Sequence, residues 1–155
     1  MMAPSGAGKT TLLRILAGLE KADSGQIEGL EGLRISMVFQ EDRLCENLSA
    51  SANIRLVRGK KPWGRDKKLE AKISKAMAAV GLGGCEDQPV REFSGGMRQR
   101  TALLRALYSE WDVLFLDEPF KGLDEETKEL VIEYTKKQCF GKTVIFVTHD
   151  RSEAG

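Results

Sequence analysis

Histidine and cysteine are scarce in this sequence of 155 residues, which contains one histidine and three cysteines. The cysteines, Cys45, Cys85 and Cys139, lie far apart and are odd in number. This spacing argues against a disulfide framework, and a single histidine argues against a zinc cluster of the cysteine and histidine type. We therefore expect the three cysteines to be reduced thiols that pack as small apolar side chains.

The chain also lacks an excess of charge of one sign and any long apolar run. Its 24 basic and 23 acidic side chains give a net charge of +1, which provides no electrostatic reason to expect binding to nucleic acid or to an anionic membrane surface. The longest apolar runs, residues 113–116 and 144–147, have the length of strands and could not span a bilayer. Because the N-terminus has none of the regions of a signal peptide, the expected location is the cytosol.

Apolar periodicity predicts helices that alternate with short strands. The predicted helices cover residues 10–19, 65–82, 94–109 and 125–137. Buried strands are predicted at 112–117 and 142–150, and short strands within 26–40. This alternation is typical of an α/β fold with a parallel sheet, and the stretch from 41 to 105, which has helices and no convincing strand, reads as a helical insertion.

A glycine-rich loop occupies the beginning of the chain. APSGAGKT (3–10) fits the pattern G-x-x-x-x-G-K-[ST] except at Ala3. The backbone N–H groups of such a loop converge on phosphate oxygens, and the following helix adds its positive N-terminal end. Because a residue before proline favours extended geometry, we expect alanine to be tolerated at position 3. Lys9 would reach the β- and γ-phosphates of a nucleotide, and the hydroxyl of Thr10 would ligate Mg²⁺.

A second motif, VLFLDEP (113–119), is an apolar strand that ends in two acidic residues. Asp117, at the carboxyl end of the strand, could hold Mg²⁺ directly or through water. Glu118 could orient or deprotonate an attacking water molecule. A surface acid pair after a strand would look the same in isolation, but the upstream phosphate loop favours the catalytic interpretation.

A third motif, FSGGMRQR (93–100), places a serine and two glycines at the start of a predicted helix. Ser94, Gly95 and Gly96 would expose backbone N–H groups at the positive end of the helix, which is a second anion-binding site. One triphosphate rarely needs two such sites from one chain. A symmetric dimer does need them, because each subunit can offer its second site to the nucleotide held by the other.

Together these motifs resemble the ATP-binding subunit of an ATP-binding cassette (ABC) transporter. The matches, in chain order, are Walker A (APSGAGKTT), the Q-loop (Gln40 in MVFQ), the signature LSGGQ (FSGGM), Walker B (VLFLDEP), the D-loop (KGLD, 121–124) and the switch histidine (THD, 148–150). Each motif alone is weak, whereas six in the family's order are specific.

The resemblance implies a P-loop NTPase fold within a single ABC-type domain over residues 1–155. A RecA-like core with a parallel sheet would comprise residues 1–40 and 106–155, and an inserted α-helical subdomain would comprise 41–105. The family also places strands and an adenine-stacking aromatic ahead of Walker A, and further helices after the switch histidine. We therefore expect a partial cassette, truncated at both ends.

The resemblance assigns a role to each matching position. Glu118, His149 and Gln40 are the expected catalytic residues: Gln40 would contact Mg²⁺ or the attacking water and sense the transmembrane partner, and His149 would contact the γ-phosphate. Asp124 would communicate across the dimer. The residues expected to bind ATP are Pro4, Ser5, Gly6, Ala7, Gly8, Lys9, Thr10, Thr11, Ser94, Gly95, Gly96 and Asp124. Those expected to ligate Mg²⁺ are Thr10, Gln40 and Asp117.

The function implied is ATP binding and hydrolysis as the energy-coupling subunit of an ABC membrane transporter. FQEDRL and SGGMRQR are similar to subunits of bacterial importers of nitrate, sulfonate, taurine or related small solutes. The expected partners are a second cassette and transmembrane permease subunits that dock on residues 41–92, which would hold the chain at the cytoplasmic face of the cell membrane. No nucleic-acid partner and no membrane span are expected.

Two alternatives stay open from the sequence. One is a non-transport ABC ATPase in DNA repair or translation, although such proteins usually carry long coiled-coil insertions or tandem cassettes. The other is a nucleotide-binding module without full catalytic activity, which the truncations favour and the intact Lys9, Asp117, Glu118 and His149 oppose.

Overall fold

Three parallel strands form the sheet of the computed structural model, which describes residues 8–59, 66–150 and 153. The strands are β1 (Ile35–Val38), β2 (Val113–Asp117) and β3 (Thr143–Val147), and β2 lies in the middle. Val113 of β2 lies opposite both Ile35 and Thr143, the first residues of its two neighbours. Because all strands run in one direction, their carboxyl ends meet at one edge of the sheet.

Five α-helices accompany the sheet in the described part of the chain. They are α1 (Lys9–Leu16), α2 (Ala50–Arg55), α3 (Lys67–Ala79), α4 (Gly95–Tyr108) and α5 (Glu125–Cys139), with 3₁₀ turns at Leu56–Arg58 and Val90–Glu92. A side-chain oxygen caps the N-terminus of each helix from α2 to α5, at Ser49, Asp66, Ser94 and Asp124 respectively. These caps satisfy N–H groups that have no partner within the helix, so they fix where each helix begins.

The central strand is buried on both faces. Val113 and Phe115 point to one side, where they pack with Leu13 of α1. Leu114 and Leu116 point to the other side, into the larger core that includes residues of helices α2 to α5. This two-sided burial is what a continuous apolar run in a parallel sheet predicts. The predicted α/β architecture with a parallel sheet is confirmed.

Two local predictions were wrong. Residues 26–34 form no strand, and the chain turns there through Gly29 and Gly32, whose φ angles are +82° and +74°. Such angles belong to turns and interrupt a pleated strand. In addition, β3 is only partly buried, with Thr143 exposed, because it pairs with a neighbour on one side only within the described residues.

Helix α4 connects the helical region to the sheet. It packs against α2 and α3 of the helical region and also against β1 and α5. The expected division between residues 105 and 106 falls inside this helix, which runs to Tyr108. The division into a core over 1–40 and 106–155 and a helical subdomain over 41–105 stays a prediction. Among the described residues, no helix has both the length and the apolar character needed to cross a membrane.

Candidate active site

The phosphate-loop residues described by the structure begin at Gly8, since Pro4, Ser5, Gly6 and Ala7 lie outside the described residues. Gly8 precedes helix α1 with a φ of +74°. A Cβ atom there would meet no described neighbour within 4 Å, and the backbone angle by itself favours glycine. Lys9 is buried, whereas Thr11 is exposed.

Thr10 and Asp117, both predicted to ligate Mg²⁺, are in direct contact. The Thr10 hydroxyl, in the first turn of α1, donates a hydrogen bond of 2.7 Å to Oδ2 of Asp117 at the end of β2. Asp117 is only 2% exposed. A hydroxyl and a carboxylate are hard oxygen ligands of the kind that Mg²⁺ binds, so this pair fits the metal. Gln40, the third predicted ligand, lies two residues beyond β1 at the same edge of the sheet and is exposed.

Glu118 adopts an unusual backbone conformation. Its φ of +49° lies in the left-handed region, which costs a residue with a side chain on the order of 1 kcal/mol or more. Its N–H group donates to the carbonyl of Val147 at 2.9 Å, and its own carbonyl accepts from the N–H group of Lys121 at 3.2 Å. These hydrogen bonds hold the strained turn at the carboxyl ends of β2 and β3.

The carboxylate of Glu118 faces His149. Nδ1 of His149 lies 3.0 Å from Oε2 of Glu118, but the contact lacks hydrogen-bond alignment. Oε2 is buried and accepts no hydrogen bond from any described residue. Because buried polar atoms are almost always paired, an unpaired carboxylate oxygen indicates a place for a ligand or a reacting water molecule. The structure thus brings together two residues that the sequence predicts to be catalytic.

Ser94, Gly95 and Gly96 form the start of helix α4. The Oγ atom of Ser94 accepts a hydrogen bond of 3.3 Å from the N–H group of Met97. Ser94 and Gly95 are exposed, and a Cβ atom on Gly96 would lie 3.3 Å from Leu123, so this glycine allows the close approach of the predicted D-loop.

Two separate cavities are lined by some of the predicted site residues. An open cleft of about 540 Å³ is lined by Gln40, Gly95 and Gly96 together with Lys121 and Gly122. A smaller cavity of about 130 Å³ is lined by Glu118 and His149. Gln40, Gly95 and Gly96 therefore share one cavity, and Glu118, the expected base, shares the other with His149, the residue expected to contact the γ-phosphate.

Asp124 acts as a helix cap in this chain. Its carboxylate accepts a hydrogen bond of 3.0 Å from the N–H group of Thr127, at the start of α5. That hydrogen bond holds the pKa of Asp124 below its usual value. Asp124 is exposed, so its carboxylate fixes the helix start while facing solvent. The role predicted for it across a dimer stays a prediction.

Arg98 is a residue that the sequence analysis missed. Its guanidinium makes five hydrogen bonds of 2.6–3.1 Å, two to the carboxylate of Asp42, two to that of Glu46 and one to the carbonyl of Val90. These match its five N–H groups. They hold the pKa of Glu46 below its usual value, and they lower that of Asp42 against the opposing effect of burial. Arg98 thereby fixes the segment after Gln40 to the signature helix.

Gln99 is a second residue that the sequence analysis missed. Its buried amide donates to the carbonyl of Pro119 at 3.1 Å and, more weakly, to that of Glu118 at 3.4 Å. It therefore joins the signature helix to the strained turn at Glu118. The only signal in the sequence was its place within SGGMRQR, because an amide on a helix has no partner that spacing can identify.

We expect replacement of Gln99 by methionine to lower the rate of ATP hydrolysis about tenfold, because misplacement of a reacting group by a fraction of an ångström has effects of this order. The affinity for a fluorescent ATP analogue should stay the same, since the amide makes its contacts with the Glu118 turn. Steady-state phosphate release measures the rate, and Gln138→Met, at an exposed position of α5, is the control. Equal rates for both variants would contradict the prediction.

Comparison with known proteins identifies similar sequences over nearly the whole chain. The ABC transporter family model matches residues 1–121. The sulfate/thiosulfate import ATP-binding protein CysA of Xanthomonas campestris is 40% identical over 99% of this chain and 49% of its own length. The thiamine import ATP-binding protein ThiQ of a Chelativorans strain is 40% identical over 99% of this chain and 67% of its own length. The Fe(3+) ions import ATP-binding protein FbpC of Escherichia coli K12 is 40% identical over 99% of this chain and 47% of its own length.

Solved structures with a similar fold are also found. A dimeric, post-hydrolysis structure of the ATP-binding cassette MJ0796, bound to ADP and phosphate, has a TM-score of 0.83 and 29% identity over 99% of this chain and 75% of its own length. A second dimeric structure of MJ0796 has the same TM-score with 28% identity over the same shares. The chain spans about half the length of CysA and FbpC.

Proposed function

The chain belongs to the ABC transporter family, and we propose that it binds ATP with Mg²⁺ and hydrolyses the nucleotide as the energy-coupling subunit of a bacterial small-solute importer. The observation that carries this proposal is the contact of Thr10 with Asp117, beside the close approach of His149 to Glu118. The contact joins the phosphate loop to the end of the central strand. These two contacts lie at adjacent residues, Asp117 and Glu118, which supports a site for a triphosphate and its metal there.

Each group has a separate task in this proposal. Thr10 and Asp117, with Gln40 nearby, would hold Mg²⁺, which when bound neutralises charge on the phosphate oxygens. Lys9 would place its ammonium group on the β- and γ-phosphates. The unpaired Oε2 of Glu118 would accept a hydrogen bond from the attacking water and take its proton. His149, on the exposed side of Glu118, would contact the γ-phosphate.

A second cassette would complete the site. Gly95 and Gly96 line the open cleft, apart from the cavity of Glu118 and His149, and Ser94 precedes them at the start of α4. We therefore propose that these three residues bind the nucleotide of a partner subunit. The helix start that Ser94 caps has exposed N–H groups and a positive end, which suit a phosphate. The dimeric structures of MJ0796 support this assembly.

We further propose that permease subunits dock on residues 41–92 and hold the chain at the cytoplasmic face of the membrane. CysA, ThiQ and FbpC are named as import proteins, which supports the importer assignment. They are equally identical to this chain although their names give three different solutes. We therefore assign the choice of solute to the other subunits. The names of these three relatives give sulfate/thiosulfate, thiamine and Fe(3+), so they do not support the nitrate, sulfonate and taurine group in particular. That narrower assignment stays a prediction from the sequence.

The metal site can be tested by replacing Asp117 with asparagine. In the unchanged chain, binding of a fluorescent ATP analogue should be tighter with Mg²⁺ than with EDTA. Asp117→Asn should weaken binding in Mg²⁺ about tenfold, since it removes one charged oxygen ligand, and should reduce the difference between the two conditions. Asp23→Asn, in an exposed turn, is the control. Binding that is indifferent to Mg²⁺ in the unchanged chain would contradict the proposed metal site.

A further inference from the structure

The residues on either side of His149 belong to a network of polar side chains. Lys128 of helix α5 places its Nζ atom 2.5 Å from Oδ2 of Asp150 and 3.3 Å from Oε1 of Glu153. The side chains of Lys128 and Glu153 are only 11% and 6% exposed, so this ion pair is largely shielded from water. A shielded pair depends strongly on both partners, because removing one leaves a buried charge uncompensated.

The same network fixes the backbone on both sides of His149. The hydroxyl of Thr148 donates to Oε2 of Glu153 at 2.6 Å and accepts a hydrogen bond of 3.0 Å from the N–H group of Asp150. Thr148 precedes His149 and Asp150 follows it. The histidine itself is 63% exposed, so its ring has little packing to hold it in place. Its position therefore depends on its two neighbours, and these are anchored on Lys128 and Glu153.

Lys128 also connects this segment with the predicted D-loop. Its backbone N–H group donates to the carbonyl of Asp124 at 2.8 Å, one helical turn earlier. Its side chain lines the cavity of about 130 Å³ that Glu118 and His149 share. The hydrogen bond to Asp150 raises the pKa of Lys128, against the effect of burial, so the ammonium group stays charged.

We infer that Lys128 is a positioning residue for His149. It holds the imidazole against Glu118 and links the placement of that ring to the D-loop at Asp124. The effect that we expect on the rate of ATP hydrolysis rests on the proposed function. Without the ammonium group, the carboxylates of Asp150 and Glu153 would lose the cation that lies between them. Their repulsion would displace the segment that carries His149.

The placement of His149 can be measured directly, because it is the one histidine in the 155 residues. In tag-free protein with ¹³C-labelled histidine, the imidazole gives a single set of NMR signals. We expect Lys128→Met to shift or broaden these signals, and Lys128→Arg to leave them near their original position. Lys137→Met is the matched control, since Lys137 lies on the same helix and pairs with Glu133 at 2.6 Å on the exposed surface.

A second variant separates positioning from folding. Lys128→Met leaves Glu153 buried without its cation, which could prevent folding, whereas the double variant K128M/E153Q removes that buried charge. The double variant should fold while the imidazole signals stay displaced, because the contacts of Lys128 with Asp150 and Glu153 are still missing. Unchanged signals in either folded variant would overturn the inference.

Activity gives the second readout. In Lys128→Met we expect kcat for ATP hydrolysis to fall about tenfold while KM stays within about twofold, as a displaced reacting group predicts. An unchanged kcat in a variant whose signals have moved would also overturn the inference. If the unchanged chain hydrolyses ATP no faster than Glu118→Gln, the proposed function fails. The NMR comparison then still decides whether Lys128 positions His149.

Discussion

Replacing Glu118 with glutamine is expected to lower kcat for ATP hydrolysis by about a hundredfold to a thousandfold, which is the range for loss of a general base. Glutamine keeps the size of the side chain but cannot take a proton from water. The affinity for ATP should remain within about twofold, because in the proposed function the loop residues would contact the phosphates, whereas Oε2 of Glu118 would contact the attacking water. Steady-state phosphate release and binding of a fluorescent ATP analogue measure the two quantities.

The matched control for this variant is Glu129→Gln, at an exposed position of helix α5. It makes the same chemical change away from the cavity, so its rate should equal that of the unchanged chain. Equal, background-level rates in the unchanged chain and in Glu118→Gln would contradict the hydrolysis proposal. They would favour the alternative of a nucleotide-binding module without full catalytic activity.

Replacing Phe115 with alanine is expected to lower the free energy of unfolding by about 3–5 kcal/mol, which is the usual cost of removing a buried phenyl ring. Phe115 lies in the middle of the central strand, is fully buried and packs with Leu13 of α1. Its loss would leave a cavity between the sheet and the helix that follows the phosphate loop. The measurement is denaturation in urea, followed by circular dichroism.

Phe140→Ala is the control for this change, because Phe140 is 88% exposed at the end of α5. The same truncation there should change the free energy of unfolding by about 0.5 kcal/mol or less. A similar loss in both variants would mean that the burial of Phe115 does not determine its contribution. ATP affinity should also fall in Phe115→Ala, since α1 carries Lys9 and Thr10.

The sequence predicts most of the fold because its local signals agree with the tertiary structure. The apolar run at 113–116 becomes part of the buried central strand, and Ser94 caps the helix predicted to begin near that residue. The prediction was wrong where the signal was ambiguous. The apolar residues around Gly29 and Gly32, namely Ile27, Leu30 and Leu33, resembled a strand, but the positive φ angles of these glycines turn the chain. The partial burial of β3 depends on how many strands pair with it, and the spacing of apolar residues in the sequence does not indicate that number.

The candidate site divides in the same way. The sequence motifs identified Thr10, Asp117, Glu118 and His149. In the structure, Thr10 contacts Asp117, and His149 contacts Glu118. The side chains that support them were not predicted, because each pairs with residues far along the chain. The guanidinium of Arg98 bonds to Asp42, 56 residues away, and no spacing rule indicates such a contact. The roles of all site residues stay predictions until the variants are measured.

The hydrogen bonding of Arg98 has a thermodynamic consequence for whatever enters the open cleft. The carboxylates of Asp42 and Glu46, on the segment after Gln40, are already held by its guanidinium, so one side of the cleft is ordered before a partner arrives. An ordered surface loses little conformational entropy on binding, and more of the contact free energy therefore remains as affinity. A segment that docks in the cleft would therefore bind a preorganised surface and would not have to order a flexible loop.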